Sequence, residues 1–390
     1  MQLSRQKISN QPLQLLGHLT TEQFFNEYWQ KKPLLIRNAI DDFESLISAD
    51  ELAGLSLEDQ VQSRIIIEKD ADKPWKVIYS PLEENVFAEM PETHWTLLVS
   101  DVEKHIPEFT EITDQFRFIP DWRIDDLMIS YAPEGGSVGP HIDQYDVFLL
   151  QAHGQRRWQI GSKPVEDEDF IEGLEIRVLK EFFADHDWVL NPGDMLYLPP
   201  KIAHHGVALN DCLTYSVGFR ANSHNELAAS YADELLHNNN NQKRYNAIDF
   251  QDHPAEITGE TIQQLKNILV SSLLTDSAHI EEWFGHFITD QKFELETLPD
   301  QEFTGTDEVY QFISTVEFLS RHPAIRFAFI RHGEHSDVFI NAKKYTTSTV
   351  FAETICDDRH LSTATLLKTV CSDEEKNVLL ECLNQGYLYQ

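Results

Sequence analysis

Two short segments, about sixty residues apart in the chain, most constrain the fold, because their side chains would have to meet to form a site. His141-Ile142-Asp143 follows a glycine-rich segment, and His204 lies within Pro199–Gly206. Alternate residues of a strand point to the same side, so His141 and Asp143 would face one way and a distant strand would supply His204. Two histidines and one carboxylate on one face of an ion are the ligand set of non-haem Fe(II) sites.

The segment between residues 126 and 219 has the pattern of a β-structure. Short apolar runs alternate there with turns rich in glycine, proline and asparagine, and no helical pattern separates one run from the next. This pattern favours an antiparallel barrel or jelly roll over a parallel α/β fold. The predicted strands are Leu127–Ala132, Val147–Gln151, Arg156–Ile160, Met195–Leu198 and Leu213–Phe219.

Helical patterns lie on both sides of this β-region. Thr20 precedes a capped amphipathic helix that ends before Pro33, and Ser223-His224-Asn225-Glu226 has the pattern of a capping box. Apolar residues recur at helical spacing in segments 258–274, 280–288 and 374–383, and the apolar runs at 325–330 and 338–340 predict a hairpin. Helices combined with a hairpin indicate a winged-helix unit near the C-terminus.

The net charge bears on the partners of the chain. Asp and Glu number 65 against 31 Lys and Arg, which gives a formal charge of −34. Such a surface repels nucleic-acid phosphates and attracts basic proteins. The C-terminal region has no basic stripe, so we expect no direct nucleic-acid binding and a structural or protein-contact role for the winged-helix unit.

The predicted location is the cytoplasm. Residues 1–17 lack the basic and apolar segments of a signal peptide, and no run of apolar residues approaches the length of a membrane span. The four cysteines form no CxxC pair, which is typical of buried thiols in a reducing compartment.

A second group of side chains predicts an anion site. Arg156 and Arg157 are adjacent on a predicted strand, so one of them can point into the barrel while the other faces solvent. A buried guanidinium needs a carboxylate partner, which it binds through two parallel hydrogen bonds. Ser130 and Tyr131 on the preceding strand could donate a hydroxyl to the same carboxylate.

Four segments resemble a known family. Tyr28–Arg37, Asp121–Met128, Val138–Phe148 and Tyr215–Arg220 resemble the bacterial ribosomal oxygenases of the JmjC class, and the resemblance extends along the whole chain. The match is closest to the branch that hydroxylates an arginine of a large-subunit ribosomal protein.

The resemblance implies a mainly β fold with added helices. Residues 1–222 would form a JmjC double-stranded β-helix of the cupin jelly-roll type, residues 223–275 a helical dimerisation segment, and residues 276–390 a winged-helix-like domain. The implied homodimer would form through the second of these parts.

The resemblance also implies a catalytic centre. The iron ligands would be His141, Asp143 and His204, and Arg156 with Ser130 would hold 2-oxoglutarate. The family's usual Pro-His-Glu-Gly motif is Ala203-His204-His205-Gly206 here, so a second histidine stands beside the proposed ligand.

The implied activity is Fe(II)-, 2-oxoglutarate- and O2-dependent hydroxylation of an arginine in a basic large-subunit ribosomal protein. Glu134, in the loop before His141, is either a partner for the substrate guanidinium or an ordinary loop charge. The alternatives are a ribosomal-protein histidine hydroxylase, a cupin-type metal enzyme without a cosubstrate, and a non-catalytic acidic assembly factor. A winged-helix transcription factor is disfavoured by the negative charge.

Overall fold

In a computed structural model, the chain divides into two compact units, residues 1–221 and residues 222–390. The structure describes residues 11–68, 74–165, 169–220, 222–238, 244–245, 255, 257–273, 277–291 and 297–390. Segment 223–275, which was predicted to be a separate helical part, begins the second unit, and the three-part division stays a prediction. Within the described ranges, no helix is long and apolar enough to cross a membrane.

Strands make up most of the N-terminal unit. In chain order they are β1 (Leu34–Ile36), β2 (Ser63–Ile67), β3 (Lys76–Tyr79), β4 (Trp95–Val99), β5 (Ile124–Ala132), β6 (Asp146–His153), β7 (Arg156–Pro164), β8 (His186–Leu190), β9 (Met195–Leu198), β10 (Ile202–Ala208) and β11 (Cys212–Phe219). A large antiparallel sheet has the order β1-β9-β6-β11-β5-β4-β2-β3, and a small one has the order β10-β7-β8. The five runs predicted from the sequence correspond to β5, β6, β7, β9 and β11.

Short helices accompany the sheets of this unit. They are α1 (Thr21–Glu27), α2 (Ala49–Leu55), α3 (Val102–His105) and α4 (Thr110–Thr113), with 3-10 helices at Gln14–Leu16, Glu84–Glu89, Pro107–Phe109, Asp114–Phe116 and Asp121–Arg123. The side chain of Thr20 accepts a hydrogen bond from the Gln23 N–H, which completes the capping box that begins α1. The predicted helix after Thr20 is therefore present.

Apolar side chains pack on both faces of the large sheet. Val147 and Leu149 of β6 form one cluster with Trp158 of β7, and this cluster lies between the two sheets. Phe148, which points the other way, belongs to a larger cluster that includes Phe24 of α1. Because β6 is buried on both faces, its sequence reads as a continuous apolar run. Two antiparallel sheets around an apolar core form the jelly roll that the sequence predicted.

Helices and two small sheets form the C-terminal unit. The helices are α5 (His224–Asn238), α6 (Gly259–Leu273), α7 (Ser277–Thr289), α8 (Thr306–Ile313), α9 (Thr349–Asp357), α10 (Thr363–Thr369) and α11 (Asp373–Asn384). The strands are β12 (Phe318–Arg321), β13 (Phe327–His332), β14 (His335–Ile340), β15 (Lys343–Ser348), β16 (His360–Ser362) and β17 (Leu388–Tyr389). The sheets have the orders β16-β12-β17 and β13-β14-β15.

The expectations for this unit are met in their main elements. The Glu226 N–H donates to Ser223 Oγ and the Ser223 N–H donates to Glu226, which is the predicted capping box. The predicted hairpin is β13–β14, to which β15 adds a third strand. A shared apolar core packs α8, α9 and α11 with these strands, and its members include Val309, Val338 and Leu379.

Candidate active site

His141, Asp143 and His204 lie together in the N-terminal unit. Nε2 of His204 is 3.5 Å from Oδ2 of Asp143, and Nε2 of His141 is 4.0 Å from the same oxygen. The two imidazole rings are 4.2 Å apart between their centroids. Within the described ranges, no other group of three histidine, cysteine or acidic side chains is close enough to hold one metal ion.

Backbone hydrogen bonds hold the two segments of this cluster side by side. The His141 N–H donates to the His204 carbonyl at 3.0 Å, and the His204 N–H donates to the His141 carbonyl at 2.9 Å. The prediction that His141-Ile142-Asp143 lies on a regular strand was wrong, because the pairing is an isolated bridge and Asp143 lies in the loop that follows. Pro140 has no N–H to donate, so the ladder cannot extend regularly before His141.

Both histidines present the same ring nitrogen to the cluster. Nδ1 of His141 donates to the Gly139 carbonyl and Nδ1 of His204 donates to the Ile202 carbonyl, each at 2.9 Å. A carbonyl can only accept, so each Nδ1 carries a proton, and in the neutral ring the lone pair is then on Nε2. Burial, with a further effect of His141, lowers the pKa of His204 to about 4, so this ring is neutral at pH 7.

The chemistry of these donors fits a divalent transition metal. Two imidazole nitrogens and one carboxylate oxygen supply three ligands, and carbonyl groups orient both rings as outer-sphere partners do in known metal sites. His205 is not part of the cluster, since its Nε2 is 3.0 Å from Ser137 Oγ. The structure therefore places His204 and not His205 beside Asp143.

Arg156 and Arg157 point to opposite sides of β7. Only 3% of the Arg156 surface is exposed, whereas Arg157 is exposed and pairs with Asp187. Arg156 donates to Ser130 Oγ at 3.5 Å and to the Gly206 carbonyl at 3.3 Å, while its buried Nε has no hydrogen-bond partner in the described part of the chain. Burial lowers the pKa of Arg156. A buried guanidinium that no described carboxylate neutralises requires an anion from outside.

Gly206 and Trp158 make room for this guanidinium. A Cβ at position 206 would lie 2.7 Å from Nε of Arg156 and 2.7 Å from a ring carbon of Trp158, so a larger residue there would displace the arginine. The Arg156 guanidinium lies 5.1 Å from the centre of the Trp158 ring. Neither residue was predicted from the sequence, although strand alternation places Trp158 on the same face as Arg156.

The other predicted residues lie apart from the cluster. Ser130 is buried beside Arg156, but Tyr131 points to the opposite face of β5 and packs edge-on against Trp95. The side chain of Glu134 is exposed in the loop before His141. Of the two hydroxyl groups that could assist Arg156, only that of Ser130 is placed to do so.

A jelly roll that holds a His-Asp-His cluster and a buried, unneutralised arginine defines the class of non-haem, dicarboxylate-using oxygenases. Comparison with protein families agrees with this class. The JmjC domain matches residues 111–227, and the ROXA-like winged helix matches residues 272–389.

Individual relatives identify the family. The chain is 36% identical to the ribosomal protein uL16 3-hydroxylase of Escherichia coli K12 over 84% of its own length and 85% of the relative. It is 35% identical to a probable ribosomal oxygenase of Haemophilus influenzae over 75% of this chain and 74% of that protein. The chain belongs to the JmjC-domain family of ribosomal oxygenases, and it is an enzyme of the oxygenase class.

Solved structures agree along nearly the whole chain. The crystal structure of YcfD from Escherichia coli matches with a TM-score of 0.86 and 33% identity, covering 95% of this chain and 98% of that one. A structure of YcfD in complex with cobalt and 2-oxoglutarate matches with a TM-score of 0.82 and the same identity and coverage. The fold that the sequence predicted, a jelly roll followed by a winged helix, is confirmed.

Proposed function

We propose that this chain is an Fe(II)- and 2-oxoglutarate-dependent protein hydroxylase in which His141, Asp143 and His204 hold the iron. Arg156 and Ser130 hold the distal carboxylate of 2-oxoglutarate. The observation that carries this proposal is the pairing of β7 with β10, which puts the buried Arg156 on the strand next to His204. The relative solved with cobalt and 2-oxoglutarate supports the same choice of cosubstrate.

The residues of this chain orient the reactants. Fe(II), when bound, supplies the O2 chemistry that converts a C–H bond to C–OH while 2-oxoglutarate is oxidised to succinate and CO2. The carbonyls of Gly139 and Ile202 fix the two imidazole rings, and the Arg156 guanidinium with the Ser130 hydroxyl orients the dicarboxylate. The apolar cluster around Trp158 keeps water from this part of the barrel.

The proposed substrate is an arginine of large-subunit ribosomal protein uL16. The relative named as a uL16 3-hydroxylase supports the protein, and a chain of net charge −34 suits a basic partner through long-range attraction. Glu134, exposed in the loop before His141, is available to pair with the target guanidinium. The enzyme would act in the cytoplasm as a homodimer, without binding nucleic acid directly.

The first test is hydroxylation of the purified substrate. The Fe(II)-loaded chain is incubated with 2-oxoglutarate, O2 and purified uL16, and the substrate is analysed by intact and fragment mass spectrometry. We expect one added oxygen atom on one arginine, succinate in equal amount, and neither product with His141→Ala. Arg156→Met should also abolish hydroxylation, and Arg157→Met, which removes an exposed arginine outside the site, is its matched control.

Two of the alternatives predict other results when the assay is run with uL16 and with other ribosomal proteins. An added oxygen on a histidine of another ribosomal protein would replace the arginine assignment with the histidine-hydroxylating branch. Tight binding of uL16 without succinate or hydroxylation, with iron bound, would contradict the enzymatic assignment of the site and favour an assembly factor.

A further inference from the structure

The histidine beside the metal cluster has a partner of its own. Nε2 of His205 lies 3.0 Å from Ser137 Oγ, and the Gly139 N–H donates to the same oxygen at 3.0 Å. Ser137 is completely buried, and Phe182 packs edge-on against the His205 ring. One hydroxyl can donate to His205 while it accepts from Gly139, so all three groups are satisfied together.

This contact spans a gap in the backbone ladder. At one end, Gly135 and Gly136 exchange hydrogen bonds with Ala208, and at the other end His141 does so with His204. Between these ends the loop has residues 137–140 and β10 has residues 205–207, so four residues face three and regular pairing is impossible. The Ser137–His205 hydrogen bond connects the loop to β10 through side chains across this unpaired stretch.

We propose that the Ser137–His205 hydrogen bond is a latch that fixes the register of the His141 segment against β10 and thereby sets the affinity of the metal centre. Both latch residues are positioning residues, because neither joins the cluster of ligand atoms. The latch acts through Gly139, whose N–H bonds to Ser137 and whose carbonyl orients the His141 ring. Outer partners of this kind commonly change metal affinity by about 10–100-fold. The inference rests on the metal site of the proposed function.

Metal affinity and ligand-field spectra test the latch without turnover. Co(II) is bound to the full chain, its Kd is measured against a chelator, and its visible absorption is recorded. We expect Ser137→Ala and His205→Phe each to weaken Co(II) binding by about tenfold or more and to alter the spectrum. The double variant should weaken Co(II) binding no more than either single variant does, because each single substitution already removes the same hydrogen bond. His205→Gln, whose side-chain carbonyl can accept a hydrogen bond from the Ser137 hydroxyl, should restore both readouts.

The matched control is His153→Phe, which changes an exposed histidine of β6 in the same unit. Wild-type Kd and spectra in Ser137→Ala and His205→Phe would overturn the latch, whereas a wild-type chain that binds no Co(II) would contradict the proposed function instead. Where a variant fails to fold, Ser137→Cys weakens the bond with little change of volume. Hydrogen exchange at the Gly139 amide of the metal-free chain should then accelerate, and an unchanged rate would contradict the latch.

Discussion

At the scale of single residues, we expect the buried charge of Arg156 to lower the stability of the folded protein and to be required for binding of 2-oxoglutarate. Replacing Arg156 with Met removes a guanidinium that no described carboxylate neutralises. We expect the metal-free variant to be more stable than wild type by about 1–3 kcal/mol in denaturant unfolding. With Co(II) under anaerobic conditions, we expect 2-oxoglutarate to raise the melting temperature of wild type but not that of Arg156→Met.

The neighbouring arginine provides the comparison for this prediction. Arg157→Met removes a surface ion pair with Asp187, which should change stability by less than about 1 kcal/mol and leave the 2-oxoglutarate effect intact. If Arg156→Met keeps the full 2-oxoglutarate shift, another residue binds the cosubstrate carboxylate.

Glu103 makes stability depend on pH near neutrality. Burial, opposed by Lys104 and reinforced by Asp101 and Asp126, raises the pKa of Glu103 to about 7, while its carboxylate accepts the Leu127 N–H at 3.0 Å. The folded state then holds the proton more tightly than the unfolded state. The contribution of Glu103 is therefore greatest below about pH 4.5 and declines as pH rises through 7.

Glu103→Gln keeps an acceptor for Leu127 and removes the charge. We expect this variant to exceed wild type in the free energy of unfolding at pH 8 by up to about 3 kcal/mol, with a much smaller difference at pH 5. The measurement is denaturant unfolding at both pH values. Glu108→Gln, which changes an exposed acid five residues further along the chain, should show no such dependence. A difference between Glu103→Gln and wild type that is the same at pH 5 and pH 8 would contradict the titration of Glu103.

At the scale of secondary-structure elements, the most predictable strands are those bounded by turn residues. Glycine, proline or asparagine lies at or near both ends of β7 and β9 and after the end of β6, so local chemistry sets these ends. The strands β2, β3 and β4 were not predicted, because they lie between long irregular segments where apolar runs have no clear period. β4 pairs with β5, β2 pairs with β4 and β3 pairs with β2, so the identity of these strands depends on tertiary pairing.

In the functional site, too, some features could be predicted from neighbouring residues in the sequence, whereas others depend on contacts between distant parts of the chain. The spacing of His141 and Asp143 indicated ligands, but their loop conformation depends on hydrogen bonds to residues about sixty positions away. Likewise, alternation on β7 could predict that only one of Arg156 and Arg157 is buried. It could not show that Gly206 leaves the space for Arg156, because that contact forms only when β10 pairs with β7.

A buried acid joins two elements of the C-terminal unit. Glu375 near the start of α11 accepts hydrogen bonds from the N–H groups of Ser348, Cys371 and Ser372 and from the Ser348 hydroxyl. Burial alone would raise the pKa of Glu375, but these hydrogen bonds outweigh it and the pKa is lowered. Its stabilising contribution is thus complete above about pH 4.5 and declines as pH falls below that value.

We expect Glu375→Ala to destabilise the protein by about 2–4 kcal/mol at pH 7, because several N–H groups lose a charged acceptor. Amides in β15 and α11 should exchange with solvent faster, as measured by hydrogen exchange and mass spectrometry. Glu374→Ala, which changes the exposed acid next to it, should have little effect on either. Equal rates of hydrogen exchange in Glu375→Ala and Glu374→Ala would show that the stability of α11 does not depend on Glu375.

At the scale of the whole molecule, the net charge and the exposed apolar surface have opposite effects on the association of two copies of the chain. Each copy of the chain has a charge of −34, so two copies repel one another. Helix α6 nevertheless has no buried residue, and it exposes apolar side chains on one face. These are Ile262, Leu265, Ile268, Leu269 and Leu273. The proposed homodimer would bury this face between the two copies, where apolar burial must exceed the repulsion.

Because repulsion opposes the proposed dimer, salt should strengthen it while weakening attraction to a basic substrate. We expect the dimer Kd, measured by sedimentation, to fall between low and physiological salt, and the KM for uL16 to rise over the same range. Leu269→Asp should give monomers, whereas Asn267→Asp adds the same charge on the polar face of α6 and should leave the dimer intact. Monomers that persist in wild type at every salt concentration would contradict the proposed interface on α6.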